Sequence, residues 1–358
     1  MVIAFSAGGT LGHIMPALSF IEKLKSIDLN IKIIFFATIK DQQYEILNNN
    51  KNIDQIYYLE AYGKPTKWQG YFKVIFQDLK ILFLIKKILK KAKVDVLVGM
   101  GGYISGLCIY AGNHLNIKTI IHEQNSVIGL ANKINLKKTD LILTTFKHTL
   151  GLEKHTSKTI LVGHPRFMDA KKMSKNIFVN KQSILVTSGT LGSYQINQVI
   201  KEFIHSPLSK KYTITIITGK KYYEELKNTL PVDYHYIIKA FSNNILEELS
   251  KAGIVISRAG ATTLFEILGS RTPAIVIPSP NVVNQHQYYN AKSLSELGLV
   301  QLLEEKDLNY ITLNEALEEI IHNYDSYIYR LNHFDIGPVT DNFYQAILQV
   351  MKKEKKNG

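Results

Sequence analysis

The stretch VIAFSAGGTLGHIMPAL, Val2–Leu18, begins with a short apolar run, passes through three glycines and ends in a helical pattern. Glycine lets the backbone turn sharply after a buried strand, and the helix that follows presents N–H groups and a positive dipole end to an anion. The pattern therefore predicts a strand, a tight loop and a helix, with a phosphate at the loop. A tight turn that binds no ligand stays open as the alternative.

Two common nucleotide motifs are excluded for this loop. It lacks the Gly-Lys-Ser/Thr ending with which a Walker loop binds a nucleoside triphosphate and magnesium. The dinucleotide pattern Gly-x-Gly-x-x-Gly is missing both here and in GMGGYISG, Gly99–Gly106, where Ile104 stands in place of the third glycine. ATP hydrolysis and NAD chemistry are therefore disfavoured.

The rest of the chain repeats the strand-and-helix alternation, which predicts an α/β fold with doubly wound parallel sheets. The length of 358 residues suits two domains. The tetrapeptide GTLG occurs twice, at 9–12 and 189–192, each time between an apolar run and a helical pattern. The predicted strands are Val2–Phe5, Lys32–Phe36, Val94–Gly99, Lys118–His122, Leu141–Thr144, Ser183–Val186, Tyr212–Thr218, Gly253–Ser257 and Pro273–Ile277.

Composition indicates a globular protein in a reducing compartment. The apolar fraction is 46% and the charged fraction 20%, with a single cysteine, Cys108, among apolar neighbours. No secretory signal is recognisable at the N-terminus. Of the net charge of +13, nine charges lie in residues 1–150. Nucleic acid is the least favoured anionic partner, because no nucleic-acid-binding motif accompanies this charge.

Much of the surplus comes from segment 64–93, which has nine lysines and one acid, Asp78. Thirteen of the nineteen residues 71–89 are apolar, with Lys73, Lys80 and Lys87 at seven-residue intervals. The charges are too frequent for a membrane span. The segment predicts a basic amphipathic surface for anionic lipid, and an ordinary sheet-covering helix is the alternative.

A second polar cluster follows a predicted strand in SRAGATTLFEILGSRTPAIVIPSPNVVNQHQYYNA, 257–291. Thr262 and Thr263 open a helix, and Glu266 in its first turns could hold a ribose diol by two hydrogen bonds. Downstream, Gln285, Gln287 and their neighbours offer amide groups that both donate to and accept from sugar hydroxyls.

Six motifs in this order resemble the MurG family of glycosyltransferases: GGTLGHIMPAL, GMGGYISG, IHEQNSVIGLANK, VGHPR, SGTLGS and ISRAGATTLFEI with PSPNVVNQHQYYNA. The similarity covers effectively the whole chain. Three positions depart from the family pattern: Leu11 replaces a glycine, Thr190 replaces a serine and Leu107 replaces a proline.

The resemblance implies the GT-B fold, with two Rossmann-like domains facing a cleft. Residues 1–163 would form the acceptor-binding and membrane-facing domain, and residues 164–337 the UDP-GlcNAc-binding domain. A C-terminal helix at about 338–356 would pack back on the first domain.

The family also implies a reaction and its substrates. N-acetylglucosamine would pass with inversion from UDP-GlcNAc to the C4 hydroxyl of MurNAc in lipid I, an undecaprenyl-pyrophosphoryl-MurNAc-pentapeptide, forming lipid II for peptidoglycan. The protein would be a peripheral enzyme on the cytoplasmic side of the cell membrane. No cofactor is implied, and no Asp-x-Asp metal pair occurs in the chain. Another lipid acceptor, or a non-catalytic sugar-nucleotide-binding subunit, stays open.

Carried over residue by residue, the family's donor site falls mainly on the second half. Glu266 would hold the ribose, Ser242 the uracil through its backbone, Thr190 the diphosphate and Gln287 the sugar. The other implied substrate-binding residues are Thr10, Leu11, Gly12, Asn125, Arg166, Ala261, Thr262, Thr263, Leu264 and Phe265.

The transfer requires a base for the acceptor hydroxyl. His13 is the first candidate, because a helix N-terminus lowers the pKa of a histidine and keeps it neutral. Glu123 in HEQN is the second candidate. His13 could instead only orient or cap the helix.

Overall fold

The computed structural model describes residues 1–61, 63, 70–174, 179–189, 192–231, 233 and 235–352. The chain divides into two compact units. The first unit comprises Met1–Pro165 and Ile336–Gly358, and the second comprises Arg166–Asp335.

The first unit is built on a parallel sheet. Its strands in the described residues are β1 (Val2–Ser6), β2 (Lys32–Thr38), β3 (Gln55–Leu59), β4 (Val96–Gly99), β5 (Lys118–Glu123), β6 (Leu141–Thr144) and β7 (Thr159–Leu161). They lie in the order β3-β2-β1-β4-β5-β6-β7, with each neighbouring pair parallel. The order reverses between β1 and β4, where Ser6 is opposite Gly99.

The second unit has the same kind of sheet. Its described strands are β8 (Asn180–Thr187), β9 (Thr213–Ile217), β10 (Tyr236–Lys239), β11 (Ala252–Ser257), β12 (Ala274–Val276) and β13 (Gln301–Leu302). Their order is β10-β9-β8-β11-β12-β13, all parallel, and it reverses between β8 and β11.

Helices connect the strands in both units. The described helices are α1 (Leu11–Ile27), α2 (Glu45–Asn48), α3 (Gly70–Lys91), α4 (Tyr103–His114), α5 (Leu130–Lys133), α6 (Pro165–Ser174), α7 (Tyr194–Phe203), α8 (Tyr223–Thr229), α9 (Ile245–Lys251), α10 (Ala261–Ser270), α11 (His286–Ser295), α12 (Tyr310–His322), α13 (Tyr324–His333) and α14 (Val339–Lys352). Within the described part of the chain, none combines the length and apolar character needed to cross a bilayer.

Both sheets confirm the predicted fold class of doubly wound α/β domains. Each predicted strand is present. The sequence pattern identified these strands because interior strands are buried on both faces, and their sequences are therefore mostly continuous apolar runs. The pattern did not predict β3, β7, β10 and β13, which are the outer strands of the two sheets.

The first sheet is covered on both faces. Ala4 and Phe5 are consecutive in β1 and point to opposite sides. Ala4 belongs to a core cluster with residues of α3 and α4. On the other side Phe5 lies 6.1 Å from Phe343 of α14, and Phe343 stacks on Phe20 of α1 at 3.8 Å. α14 therefore packs on the sheet of the first unit.

His122 should make the stability of the first unit depend on pH. Its Nε2 lies 3.1 Å from the Gly163 carbonyl oxygen, and its ring packs edge-on against Phe20. Burial lowers the pKa of His122 from 6.5 to about 4. As pH falls from 6.5 to 4, the unfolded chain gains a proton that the folded chain does not, so the free energy of unfolding should fall by about 3 kcal/mol.

Urea denaturation of wild type and His122→Gln at pH 7 and pH 4.5 checks this expectation. The variant should lose most of the His122 contribution to the pH dependence. The exposed His114, changed to Gln, controls for removal of an imidazole from the same unit. An unchanged pH dependence in His122→Gln would contradict the assignment.

Candidate active site

The two glycine loops of the first unit meet where the strand order reverses. The first loop follows β1 and the second follows β4. The N–H of Met100, the residue directly after β4, donates to the Ser6 carbonyl at 2.8 Å. A Cβ on Gly102 would lie 2.3 Å from the Gly8 carbonyl oxygen, so the two backbones are in direct contact. Open α/β sheets bind ligands at this place, outside the carboxyl ends of the strands.

The loop conformation requires glycine at particular positions. Gly9, Gly101 and Gly102 have φ of +90°, +108° and +82°. Leu11, the departure from the family pattern, is the first residue of α1 and has a negative φ. The conformational demand therefore falls on Gly9, and a side chain at position 11 is compatible with the turn.

His13 lies at the junction of the two loops. Its N–H donates to Thr10 O at 3.2 Å in the first turn of α1, where Thr10 is the N-cap without a side-chain cap hydrogen bond. Its ring rests on the second loop, since a Cβ on Gly101 would lie 2.5 Å from His13 Nδ1. The structure thus brings the predicted residues Thr10, Leu11, Gly12 and His13 together with the second loop.

Glu123, the other predicted base, lies at the end of β5 and is 2% exposed. Its Oε1 accepts one hydrogen bond from the backbone N–H of Asn125 at 3.0 Å and another from the side-chain Nδ2 of Asn125 at 3.2 Å. Its Oε2 accepts from Gly129 N at 2.9 Å and Asn132 Nδ2 at 2.8 Å. Both oxygens therefore organise the segment from HEQN to GLANK.

That segment is also tied to the second glycine loop. Gln124 Nε2 donates to the Met100 carbonyl at 2.8 Å. Asn125, a predicted substrate-binding residue, is half-buried next to it, with its backbone and amide oriented by Glu123. The first unit therefore joins three of the recognised motifs at one edge of its sheet.

In the second unit, the corresponding edge carries the loops after β8 and β11. Ser193 caps α7 by accepting from Ile196 N at 3.3 Å, and its Oγ also accepts from Arg258 Nη2 at 2.5 Å. Arg258 Nη1 donates to Ile277 O at 3.2 Å, and its guanidinium pairs with Glu305. The predicted diphosphate residue Thr190 lies outside the described residues.

Arg166 and Glu266 form a buried ion pair at 7% and 5% exposure. Arg166 Nε donates to Glu266 Oε1 at 2.8 Å, and Nη2 lies 2.7 Å from the same oxygen. Nη1 donates to Asp169 Oδ2 at 3.1 Å. Burial raises the pKa of Glu266, and the guanidinium offsets part of that rise. Arg166 thus orients Glu266, the residue predicted to hold the ribose, and both residues belong to the second unit.

The N-cap residue of α10 has open space beside its Cα. This residue, Gly260, has no side chain with which to cap the helix, and nothing lies within 4 Å of a Cβ built there. Thr262 and Thr263 are half-buried, and Ala261 is buried beside them. The side chains of Leu264 and Phe265 are in the core, so these two predicted residues can offer a ligand only backbone groups.

The remaining predicted donor residues, Ser242 and Gln287, also belong to the second unit. Ser242 follows β10, and its Oγ accepts from Asn244 N at 3.3 Å. Gln287 in α11 is held by its Oε1, which accepts from Ser279 N at 2.9 Å. The same helix contacts the loop after β11, since Asn290 Nδ2 donates to Ala259 O at 3.4 Å.

Sequence reasoning missed Asp41, Tyr103 and Arg258. Asp41 contacts the first glycine loop, Tyr103 begins α4 after the second loop, and Arg258 holds the loop before α7. The pattern Thr38-x-x-Asp41 resembles a capping box and could have identified the first of them.

Replacement of the loop glycines should separate backbone strain from steric contact. Gly9→Ala meets nothing within 4 Å and should cost only the unfavourable φ, about 1–2 kcal/mol. Gly102→Ala adds a contact with Gly8 O and should cost at least twice as much in the free energy of unfolding. Urea denaturation followed by circular dichroism compares the two. Equal destabilisation would show that the loops do not pack as described.

The two halves of the chain match two domains of one enzyme family. The Glycosyltransferase family 28 N-terminal domain matches residues 3–144, and the Glycosyltransferase family 28 C-terminal domain matches residues 183–333.

Curated relatives match over nearly the full length. A protein of Bacillus cytotoxicus, named UDP-N-acetylglucosamine--N-acetylmuramyl-(pentapeptide) pyrophosphoryl-undecaprenol N-acetylglucosamine transferase, is 31% identical over 368 residues, covering 99% of this chain and 100% of the relative. A protein of the same name from Halalkalibacterium halodurans is 32% identical over 331 residues, covering 90% and 91%.

Solved structures share the fold. MurG of Acinetobacter baumannii has a TM-score of 0.73 at 22% identity, covering 97% of this chain and 99% of that one. A UDP-GlcNAc 2-epimerase of Neisseria meningitidis bound to UDP-GlcNAc has a TM-score of 0.70 at 14% identity, covering 98% and 100%. The predicted GT-B fold is confirmed.

Proposed function

The chain belongs to glycosyltransferase family 28, and from this premise we propose that it transfers N-acetylglucosamine from UDP-GlcNAc to the C4 hydroxyl of MurNAc in lipid I, forming lipid II for peptidoglycan. The resemblance of its motifs to the MurG family is confirmed. The relatives that bear the name of this reaction cover 99% and 90% of the chain. The protein is a hexosyltransferase of cell-wall synthesis.

The observation that carries the mechanism is the position of His13 against the second glycine loop. In an inverting displacement the acceptor hydroxyl attacks the anomeric carbon while UDP leaves, so a base must lie beside the acceptor. His13 is held at the start of α1, where two loops can offer backbone N–H groups to the acceptor diphosphate. We assign the proton transfer to His13.

Glu123 takes a different role in this proposal. Four hydrogen bonds from amide donors already engage its two oxygens, two to each, so the carboxylate has no lone-pair site left for an acceptor hydroxyl. It orients Asn125 and anchors the segment that holds the Met100 carbonyl. Glu123 is therefore a positioning residue, and its change to Gln would place an NH₂ group opposite N–H donors.

The donor belongs to the second unit. The start of α10, at Ala261, Thr262 and Thr263, can offer N–H groups to the UDP moiety. The Glu266 carboxylate can accept hydrogen bonds from both hydroxyls of a ribose, and Arg166 keeps that carboxylate in place. Gln287 and the Ser242 backbone complete the assignment for the sugar and the uracil.

The basic segment supports a peripheral membrane surface. On α3, Ile75, Phe76, Leu79, Phe83 and Leu84 are exposed, with Phe83 at 73%. The lysines at positions 80, 87, 90 and 91 are also exposed. Residues 64–69 lie outside the described chain. This mixture of apolar and cationic side chains suits an anionic bilayer on the cytoplasmic side, where the lipid-linked acceptor would be reached.

The single acid of the segment is turned away from that surface. Asp78 is half-buried and accepts a hydrogen bond from the Tyr103 hydroxyl at the start of α4. Burial raises the pKa of Asp78. The exposed face of α3 therefore presents lysines without a neighbouring carboxylate from its own segment.

His13→Ala should lower kcat by about 10²- to 10⁴-fold and leave the affinity for UDP-GlcNAc nearly unchanged, because a positioned base contributes about that much. The assay uses UDP-GlcNAc with a soluble lipid I analogue, and isothermal titration with UDP-GlcNAc gives the affinity. The exposed His148, changed to Ala, is the matched control. Near-normal turnover of His13→Ala would remove its role as base.

The wild-type assay tests the function itself. Transfer to the lipid I analogue supports it, whereas binding of UDP-GlcNAc without transfer favours a sugar-nucleotide-binding subunit. Transfer to diacylglycerol in place of the lipid I analogue would indicate the related lipid glycosyltransferases.

Leu79→Ser should weaken binding to anionic vesicles by roughly tenfold, because burying one leucine is worth about 1.5–3 kcal/mol. Leu297→Ser is the matched control, since Leu79 and Leu297 are both 59% exposed and Leu297 lies in the second unit. Flotation with anionic and neutral vesicles measures both variants. Negligible binding of the wild type to either vesicle would overturn the membrane assignment.

A further inference from the structure

A buried carboxylate lies directly beneath the first glycine loop. Asp41 is 1% exposed and belongs to a short 3₁₀ turn, Ile39–Gln43, that follows β2. Its Oδ1 and Oδ2 accept from the Gly9 N–H at 3.0 and 3.2 Å. Its Oδ2 also accepts from Thr38 N at 2.8 Å and Thr38 Oγ1 at 2.6 Å.

The bonds to Thr38 close the 3₁₀ turn, and the bonds to Gly9 reach 32 residues back along the chain. A turn of this kind needs only the local bonds. Gly9 is exposed and has φ of +90°, and glycine adopts positive φ about as readily as negative φ, so its own conformational preference does not hold it there. The carboxylate is therefore the group that holds this amide in one direction.

The loop is packed tightly between Asp41 and the second glycine loop. A Cβ on Gly8 would lie 2.6 Å from Asp41 Oδ2, and the Gly8 carbonyl oxygen faces the Cα of Gly102. Gly101, which precedes Gly102 in the second loop, supports the ring of His13. A movement of the first loop towards Asp41 or away from it would therefore change the support of the His13 ring.

The charge of Asp41 also limits what the first loop can bind. The Gly9 N–H points to a carboxylate, so it is not available to the diphosphate of the acceptor. An anion at this edge must use groups further along, at the start of α1. Asp41 thereby divides the first loop into two parts: Gly9, which the carboxylate holds, and the start of α1, which can face a substrate.

We propose that Asp41 is a positioning residue for the transfer reaction, which fixes the first glycine loop and, through Gly8, Gly102 and Gly101, the place of the His13 ring. This inference rests on the proposed function of His13 as the base. Asp41 touches neither substrate in this assignment and acts through the loop.

The test compares Asp41→Ala and Asp41→Asn with Asp54→Ala. Asp54 is the matched control because its Oδ2 likewise accepts from a backbone N–H, that of Ile33 at 2.7 Å, at the opposite end of the same sheet. Steady-state assays give kcat, the KM for UDP-GlcNAc and the KM for the lipid I analogue. Amide hydrogen exchange reports on Gly9 without any substrate.

Asp41→Ala should lower kcat by about 30-fold or more, leave the KM for UDP-GlcNAc within twofold and speed exchange of the Gly9 amide at least tenfold. Asp41→Asn should recover most of kcat, since its remaining oxygen can still accept from Gly9. Asp54→Ala should keep kcat within twofold. If Asp41→Ala does not fold, Asp41→Asn is compared with Asp54→Ala instead. Its kcat and its Gly9 exchange rate should then lie between those of the wild type and those expected for Asp41→Ala.

Two results would overturn the inference: kcat of both Asp41 variants within twofold of Asp54→Ala, or Gly9 exchange unchanged in both. Failure of the wild type to transfer the sugar would instead refute the proposed function. The exchange measurement would then still report whether Asp41 restrains the loop, so the two failures are distinguishable.

Discussion

Both units depend on one steric constraint, a carbonyl oxygen that lies against the Cα of a glycine. In the first unit Gly8 O faces Gly102, and in the second Thr218 O faces Gly192, with hypothetical Cβ distances of 2.3 and 2.2 Å. Both contacts occur at the carboxyl ends of strands, where a doubly wound sheet opens for a ligand. The close backbone approach fixes the loops, and in the first unit the second loop contacts the ring of His13.

The fold could be predicted from the sequence as far as burial on two faces extends. Interior strands such as β1 and β11 are almost wholly buried, and their sequences are unbroken apolar runs. The outer strands β3, β7, β10 and β13 pair on one side only and contain half-buried or exposed positions. Their apolar runs are short or rich in tyrosine, as in QIYYL of β3 and YIIK of β10, so the sequence pattern did not single them out.

The candidate site was predictable where its residues are contiguous. Thr10 to His13 and the HEQN segment stand in motifs, and local backbone geometry brings each together. Partners that are distant in the chain were not predictable. Arg166 reaches Glu266 across 100 residues, and Asp41 reaches Gly9 across 32. Such pairs arise from tertiary packing, for which the spacing of residue types holds no local signal.

Leu11 shows which positions of a glycine-rich motif need glycine for their backbone conformation. Its position in the motif is that of a glycine, yet its φ is that of an ordinary helical residue, while Gly9 two positions earlier takes the left-handed angle. The functional definition of this loop is thus a sequence of backbone angles rather than a string of letters. A motif search written in terms of those angles would accept any side chain at position 11 that leaves the start of α1 intact.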